Sequence, residues 1–378
     1  MKRVGVIGGG QLAWMMGAPA KKLDVELVVQ TPSPNDPAVM VAVDTVFASV
    51  DDAEGTAELA NKCDVVTFEN EFVNLDELSL LAQKGVSFRP RLEALAPLLD
   101  KYHQRCFLRD LGLAVPNFAF LGGVGSGEWG VGNCFPVVIK ARRHGYDGQG
   151  TFIVKDLEAL NLFIEQNKQI LPSLLLEEYI PFERELAVIA ARSINGEVVI
   201  YPVVETQQEQ QVCRRVIVPA DISPAVAKNV EEIARTILNS LQVVGVFGIE
   251  LFLTADDKVL VNEISPRTHN SGHFTLDACE TSQFEMQLRC VCGLPLGNPA
   301  LICPSAVMVN LLGYENSSSD YDQKRSEISQ IKNAHLHWYG KKESRPGRKL
   351  GHVTVLLEDV NSENASAIAR KIESIWYA

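Results

Sequence analysis

Two apolar runs constrain this chain more than any other feature: Val246–Leu253 and Lys258–Ile264, joined by a short polar turn. Runs of this length, rich in Val, Ile, Leu and Phe, read as strands, and Asp256-Asp257 between them makes a β-hairpin. If those two residues form a two-residue turn, Ala255 pairs with Lys258, and counting back puts Glu250 directly opposite Glu263. Directly opposed side chains share one face of a sheet. Two carboxylates so placed repel unless a cation sits between them, and hard oxygen ligands on a rigid hairpin suit Mg²⁺ bridging nucleotide phosphates. The alternative is two independent surface glutamates, since the argument rests on the register.

The N-terminal part alternates strand-like and helix-compatible runs. Val4–Ile7, Leu23–Val29 and Val65–Phe68 read as strands, which implies a parallel sheet covered by helices over 1–97, with Pro90 and Pro97 bracketing its exit. Gly8-x-Gly10-x-x-Ala13 follows the first strand, where a dinucleotide fingerprint would stand. The acidic residue expected about 20 positions later is missing, because the second strand ends in Gln30-Thr31. A NAD site is disfavoured, and the loop is left to serve another ligand through its amides and Gln11.

Further along, residues 100–111 read as a helix, and the glycine-rich stretch 122–132 lacks the Lys-Ser/Thr of a Walker A loop and reads as a flexible loop. Strands are expected at Pro136–Lys140, Leu174–Glu178, Leu186–Arg192 and Glu197–Val203, with Asn195-Gly196 turning between the last two. Ser223-Pro224 opens a helix whose Val226, Val230, Ile233, Ile237 and Leu241 form one apolar face. Residues 314–327 read as a polar surface excursion, and His352–Leu357 as a strand.

Three further segments carry chemistry. Lys140 to Gly150 is a cationic, glycine-rich hairpin suited to covering phosphates, with Tyr146 and Asp147 held between glycines. Ser265-Pro-Arg267-Thr-His269-Asn270-Ser271-Gly-His273 follows the second hairpin glutamate directly and reads as a loop contacting a reacting anion. For His273, supporting that loop is an equal alternative. In the segment from His335 to His352, five of the 35 basic residues fall within nine positions around Pro346-Gly347, placing Lys and Arg where a phosphate could dock. A solvated basic turn is the default reading of such a charge run.

Composition bounds the partners. With 35 Lys+Arg against 47 Asp+Glu the net charge is −12, which argues against a nucleic-acid surface or an anionic membrane but not against small anions in a local basic pocket. Eight scattered cysteines without a C-x-x-C fit reduced thiols in a cytoplasmic protein. The apolar run at the N-terminus is short for a signal peptide, and no stretch approaches the roughly 20 apolar residues of a membrane span.

Taken together, Gly145-Tyr-Asp-Gly-Gln-Gly150, Asn262-Glu-Ile-Ser-Pro-Arg-Thr-His-Asn-Ser-Gly-His273 and Arg345-Pro-Gly-Arg-Lys-Leu-Gly-His352 resemble the ATP-grasp superfamily, and within it the enzymes that carboxylate aminoimidazole ribonucleotide in purine biosynthesis. The resemblance implies an α/β (α+β) fold. It comprises a Rossmann-like pre-ATP-grasp domain at 1–97, a two-lobed ATP-grasp domain at 98–294 with a flexible lobe at about 115–180, and a small β-rich domain at 295–378. It implies ATP as co-substrate, Mg²⁺ or Mn²⁺ at Glu250 and Glu263, and bicarbonate activated as carboxyphosphate. It further implies a homodimer and a hand-off to a downstream mutase.

Carried over residue by residue, Lys101, Lys140, Glu177, Glu178, Tyr179, Ile180, Glu185 and Asn262 match the ATP site. Arg267, His269, Asn270 and Ser271 match the acyl-phosphate position, and Asp147 the group orienting or deprotonating the amine. Gln11, Leu12, Glu71, Tyr146, Gln149, Lys341 and Arg348 match the ribonucleotide site. Three positions depart from the family pattern: Gln149 replaces a cation, Lys101 an arginine, and Gln208 a histidine. The alternative acceptor is glycinamide ribonucleotide with formate, and a nucleotide-binding regulator is the non-enzymatic reading.

Overall fold

The structure, a computed structural model, describes residues 1–121, 135–143 and 150–378. The stretch 122–132 and the residues Tyr146, Asp147 and Gln149 lie outside the described residues.

The N-terminal residues form a parallel four-stranded sheet of β1 (Lys2–Ile7), β2 (Val25–Thr31), β3 (Asp44–Phe47) and β4 (Val65–Phe68), ordered β3-β2-β1-β4. All four residues of β4 are buried, as helices on both faces of a parallel sheet require. β2 starts two residues later than expected, because the helix Gly17–Lys22 and Asp24 (φ +55°) occupy the approach. β3 was not anticipated. It is an edge strand with one buried residue, Val46, so it carries no apolar run to read.

The second sheet is antiparallel, β5-β8-β6-β7, from β5 (Phe118–Phe120), β6 (Val137–Ala141), β7 (Thr151–Val154) and β8 (Leu174–Glu178). The third has nine strands. β9 (Phe182–Arg192), β10 (Val198–Ile200), β11 (Val204–Glu209), β12 (Val212–Val218), β13 (Gly245–Thr254) and β14 (Val259–Ser265) are joined by β15 (Ser305–Leu312), β16 (Ala334–Trp338) and β17 (Lys349–Leu357). Its order is β14-β13-β9-β11-β12-β15-β17-β16, with β10 on β9. The C-terminal strands thus extend the sheet of β9 to β14 through the β12–β15 pairing.

Helix Pro224–Leu241 forms as its pattern dictates: Ser223 caps Val226 N, and Val226, Val230, Ile233, Ile237 and Leu241 are buried against β9 and β13. Truncating a fully buried member such as Ile237 to Ala would cost about 2–5 kcal/mol. The polar excursion contains a helix, Asp322–Ser329, and the chain closes with Ser362–Trp376, whose Trp376 donates Nε1–H to Leu312 O at 2.8 Å.

These layers meet at one cavity of about 1580 Å³. It opens at the carboxyl ends of β1 and β4, where open α/β sheets bind ligands. The end of β8, the β13–β14 hairpin and the β16–β17 loop complete its walls.

Candidate active site

The hairpin reaches the expected pairing by an unexpected route. Its turn has three residues rather than two: Thr254 N donates to Lys258 O at 3.0 Å, Asp257 takes φ +61°, and Leu253 pairs with Val259. That register alone would place Glu250 opposite Asn262. A bulge beside Glu250 absorbs Asn262 as an extra residue, so Glu250 pairs with Glu263 after all. The bulge also brings Asn262 to the glutamate face, which strict alternation would deny it. Asn262 Nδ2 lies 3.4 Å from Glu250 Oε2, and its Oδ1 accepts from Lys140 Nζ at 3.1 Å.

Burial, and Glu263 opposite, push the Glu250 carboxyl up to about 7. Burial would raise Glu263 as well, but Lys101, 2.5 Å from its Oε1, holds it below the usual range. Two opposed carboxyls and an amide oxygen, with one carboxyl driven towards protonation, form a hard-oxygen donor set short of positive charge. These residues fit a divalent cation such as Mg²⁺.

One helix face fixes both acidic centres. Lys101, Gln104, Arg105 and Leu108 recur at helical spacing on Lys101–Asp110. Lys101 meets Glu263, while Gln104 grips the Ile264 backbone from both sides, accepting from N at 2.8 Å and donating to O at 3.0 Å. Arg105, 1% exposed, donates Nε–H to Glu177 Oε1 at 2.6 Å, and Lys140 Nζ lies 2.7 Å from Glu177 Oε2. Burial alone would raise Glu177; Arg105 and then Lys140 hold it down to about 2. Glu178, Tyr179 and Ile180 continue along the same wall.

Glu185, on β9, is pushed up to about 7 by burial, against a hydrogen bond from Gln208 and the charge of Lys140. Gln208 gives the acid a neutral neighbour there.

The loop after β14 carries Arg267, His269, Asn270 and Ser271 to the cavity wall. Arg267 is engaged by Glu71 in a fork, Nε to Oε2 at 2.6 Å and Nη2 to Oε1 at 3.1 Å. Both residues were expected to face ligands; in this structure they face each other. His269 caps the short turn Asn270–Gly272, with Nδ1 2.9 Å from Ser271 Oγ and Nε2 3.4 Å from Glu250 Oε1. A side chain at Gly248 on β13 would collide with the His269 ring, so the glycine is what lets the histidine lie across the strand. Asn270 is held by exchanged amide bonds with Asn310 on β15, 3.0 and 2.8 Å, and Gln283 grips the His269 backbone.

The N-terminal glycines have an internal partner. Glu69 returns from β4, and its Oε1 lies 3.4 Å from Leu12 N. A side chain at Gly8 (φ +115°) or Gly10 would strike its carboxylate. The position a dinucleotide phosphate would take is filled by this acid, which burial pushes up to about 6 against Arg267 and the Gly10 and Leu12 amides. Gln11 and Leu12 still line the cavity, and Gln11 Oε1 accepts from Lys341 Nζ at 2.6 Å. Lys342 reaches Asn35 at 2.7 Å, and Arg348, also on the wall, donates to Glu343 O at 2.7 Å.

Every expected site residue that the structure describes lines this cavity. Glu69, Arg105, Gln104, Gln283 and Asn310 were missed. The signal for the two helix residues was the stripe Lys101-Gln104-Arg105-Leu108, which reads as a solvated face. His273 does not line the cavity; it is fully buried beside Phe284 and His352, 3.2 Å from Gln283, and burial holds its imidazole neutral. Asp277, His337 and His352 offer ligand atoms within 4.8 Å of one another outside the cavity wall. Yet the His337 and His352 rings stack 14° from parallel with centroids 4.6 Å apart, so no ion can lie in both ring planes. His337 instead pairs with Asp277 at 2.9 Å, and Tyr339 OH lies 2.8 Å from His352 Nδ1.

Comparisons with known proteins identify the family. Models of the ribonucleotide synthetase preATP-grasp domain, the ATP-grasp domain and the phosphoribosylaminoimidazole carboxylase C-terminal domain match residues 1–97, 106–284 and 306–366. The N5-carboxyaminoimidazole ribonucleotide synthase of a Synechocystis strain is 52% identical, over 99% of this chain and 98% of that protein. The crystal structure of the corresponding synthetase from Thermotoga maritima superposes with a TM-score of 0.87 at 40% identity, covering 99% and 98% of the two chains. That of an Aspergillus clavatus synthase in complex with ADP and 5-aminoimidazole ribonucleotide gives 0.88 at 30% identity, covering 100% and 98%. With three domain models, sequence identity and fold in agreement over nearly the whole chain, the chain belongs to the N5-carboxyaminoimidazole ribonucleotide synthase family of ATP-grasp ligases.

Proposed function

We propose that the chain carboxylates 5-aminoimidazole ribonucleotide, using ATP and bicarbonate, to the N5-carboxyamino product with release of ADP and phosphate. The observation that carries this reading is the opposed Glu250–Glu263 pair beside the Arg267–Ser271 loop, in one cavity with Lys341 and Arg348.

A bicarbonate oxygen attacks the γ-phosphorus of ATP, the bond to the bridging oxygen breaks, and ADP leaves carboxyphosphate behind. The exocyclic amine then takes the carboxyl carbon, phosphate departs, and the amine gives up a proton. Lys140, set by Glu177 and Asn262, meets the transferring phosphates. The backbone of Glu177–Ile180 holds the adenine, and Glu185 accepts from the ribose. Glu250 and Glu263, with Asn262, would hold Mg²⁺ or Mn²⁺, which supplies neutralising charge to the phosphates when bound.

Arg267, His269, Asn270 and Ser271 surround the acyl phosphate, and the donors behind them keep it away from bulk water. Lys341 and Arg348 bind the phosphate of the ribonucleotide, while Gln11, Leu12 and Glu71 meet its sugar. Tyr146, Asp147 and Gln149 are assigned to the aminoimidazole by the resemblance of their segment, with Asp147 orienting or deprotonating the amine. A labile carbamate product suits hand-off to a following mutase. A homodimer in the cytoplasm completes the proposal, and among the described residues no helix is long and apolar enough to cross a membrane. The test is phosphate release from Mg-ATP and bicarbonate with and without aminoimidazole ribonucleotide; no dependence on that ribonucleotide overturns the assignment.

A further inference from the structure

Arg267 and Glu71 come from different layers, 196 positions apart, yet close a two-point fork across the cavity wall. The fork uses the edge of the guanidinium that would otherwise grip an oxyanion, and Nη1 is turned to the Thr268 carbonyl at 3.1 Å. The same fork engages both oxygens of Glu71, the ones a sugar hydroxyl would meet. While it is closed, each residue spends its two-point grip and most of its charge on the other, and neither offers that grip to a ligand. Once released, Arg267 is not stranded, because Glu69 and Glu263 also act on it electrostatically.

We propose that the Glu71–Arg267 fork is a lock that couples arrival of the ribonucleotide to activation of bicarbonate. The sugar of the ribonucleotide takes Glu71, and Arg267 is then freed to stabilise charge on the acyl phosphate. Without an acceptor the arginine stays sequestered, and ATP is not spent on a carboxyphosphate that water would destroy. This rests on the proposed function and adds to it a positioning role for Glu71 that acts through Arg267. Because coupling between sites is reciprocal, occupancy of the acyl-phosphate position would in turn tighten the ribonucleotide.

Two experiments on the full chain with Mg-ATP and bicarbonate test the lock. In the first, a ribonucleotide lacking the exocyclic amine is added to the unaltered protein. It can engage Glu71 but cannot accept a carboxyl group, and it is expected to raise bicarbonate-dependent phosphate release about tenfold, within the usual range of coupling. No stimulation by this analogue, alongside normal stimulation by aminoimidazole ribonucleotide, overturns the lock and leaves the reaction standing. In the second, Glu71→Gln is expected to raise phosphate release in the absence of any ribonucleotide by a similar factor while the KM for the ribonucleotide rises. Glu71→Asp, keeping the charge, should fall between the two. A raised KM with ribonucleotide-independent release no higher than in the unaltered protein makes Glu71 a sugar contact alone. Should the unaltered protein show no ribonucleotide-dependent release at all, the functional reading itself fails, and the lock with it.

Discussion

The cavity holds two kinds of acid, at the β8 wall and on the β13–β14 hairpin. Glu177 lies between Arg105 at 2.6 Å and Lys140 at 2.7 Å, and its carboxyl is held down to about 2. Glu250 lies opposite another carboxylate with a weakly placed amide beside it, and its carboxyl is pushed up to about 7. Glu177 is fully buried and Glu250 only half-buried, so burial, which raises a carboxyl, would by itself order them the other way. The difference is whether the chain supplies the compensating charge itself. Glu177 is complete in the folded protein and serves to hold Lys140; on the hairpin the chain supplies Lys101 to Glu263 but, among the described residues, no lysine or arginine at bonding distance of Glu250, which the proposed divalent cation would complete.

That contrast is most severely tested by turning the first kind into the second. Arg105→Met removes one of the two charges on Glu177 while keeping much of the volume. Breaking one partner of a buried ion pair typically costs about 3–5 kcal/mol, and unfolding by urea should show a loss of that size. The ATP KM should rise with it, as Glu177, no longer fixed by Arg105, positions Lys140 less firmly. A loss below about 1 kcal/mol would mean that Glu177 does not need Arg105.

The converse change neutralises Glu250, the member of the hairpin pair that Lys101 does not bond. Glu250→Gln should lower ribonucleotide-dependent phosphate release about 10²–10³-fold, the range for losing one preorganised electrostatic group. Metal-free stability should hold or improve, since the substitution relieves repulsion between like charges. A melting temperature that falls in step with activity would show that the pair is structural.

Glu69 is an intermediate case, a half-buried acid offset by the charge of Arg267 and by the Gly10 and Leu12 amides. Its carboxyl is raised to about 6, so ionising it in the folded protein is unfavourable. For a raised carboxyl, stability is fully present below the unfolded value near 4.5 and is lost as the pH climbs through 6. The loss is on the order of 2 kcal/mol. Glu69→Gln should remove that part of the pH dependence, so thermal melts at pH 5 and pH 8 should differ less in the variant. An unchanged difference would place the titration elsewhere.

What could be read in the sequence follows the same division. Strands with apolar runs and the capped helix Pro224–Leu241 were legible because burial leaves a periodic trace. Edge strand β3, with Val46 alone buried, left none. The Glu250–Glu263 pairing was reached by assuming a two-residue turn, and it survives because the longer turn and the bulge at Asn262 offset one another. Neither offset is visible in side-chain pattern, since a bulge is a backbone event. Lys140, Arg267 and the basic segment at 341–349 could be picked out because they sit beside glycines and at strand ends, where function collects. Arg105 and Gln104 could not, because charged residues at helical spacing look like a solvated face until a partner 72 or 160 positions away is placed over them. Glu69 was hidden by the glycines themselves: they suggested a phosphate, and the chain had filled the place with its own carboxylate.

The smallest expected effect moves an acid from the uncompensated kind towards the compensated one. Glu185 is raised to about 7 by burial, and the residue beside it, Gln208, offers a hydrogen bond but no charge. An ionised carboxylate accepts from a ribose hydroxyl better than a neutral carboxyl does, so the KM for ATP should fall as the pH rises from about 6 to 8. Gln208→His would place a group there that is protonated at the lower end of that range. The imidazolium would favour the ionised form of Glu185 and shift the midpoint of the KM profile downwards. At pH 6 the gain in ATP affinity should be no more than about tenfold, or about 1.4 kcal/mol, and it should fade by pH 8 as the imidazole loses its proton. Steady-state KM values across that range decide the matter: a profile that is flat in the unaltered protein, or unmoved by the histidine, would show that Glu185 is already compensated when ATP is bound.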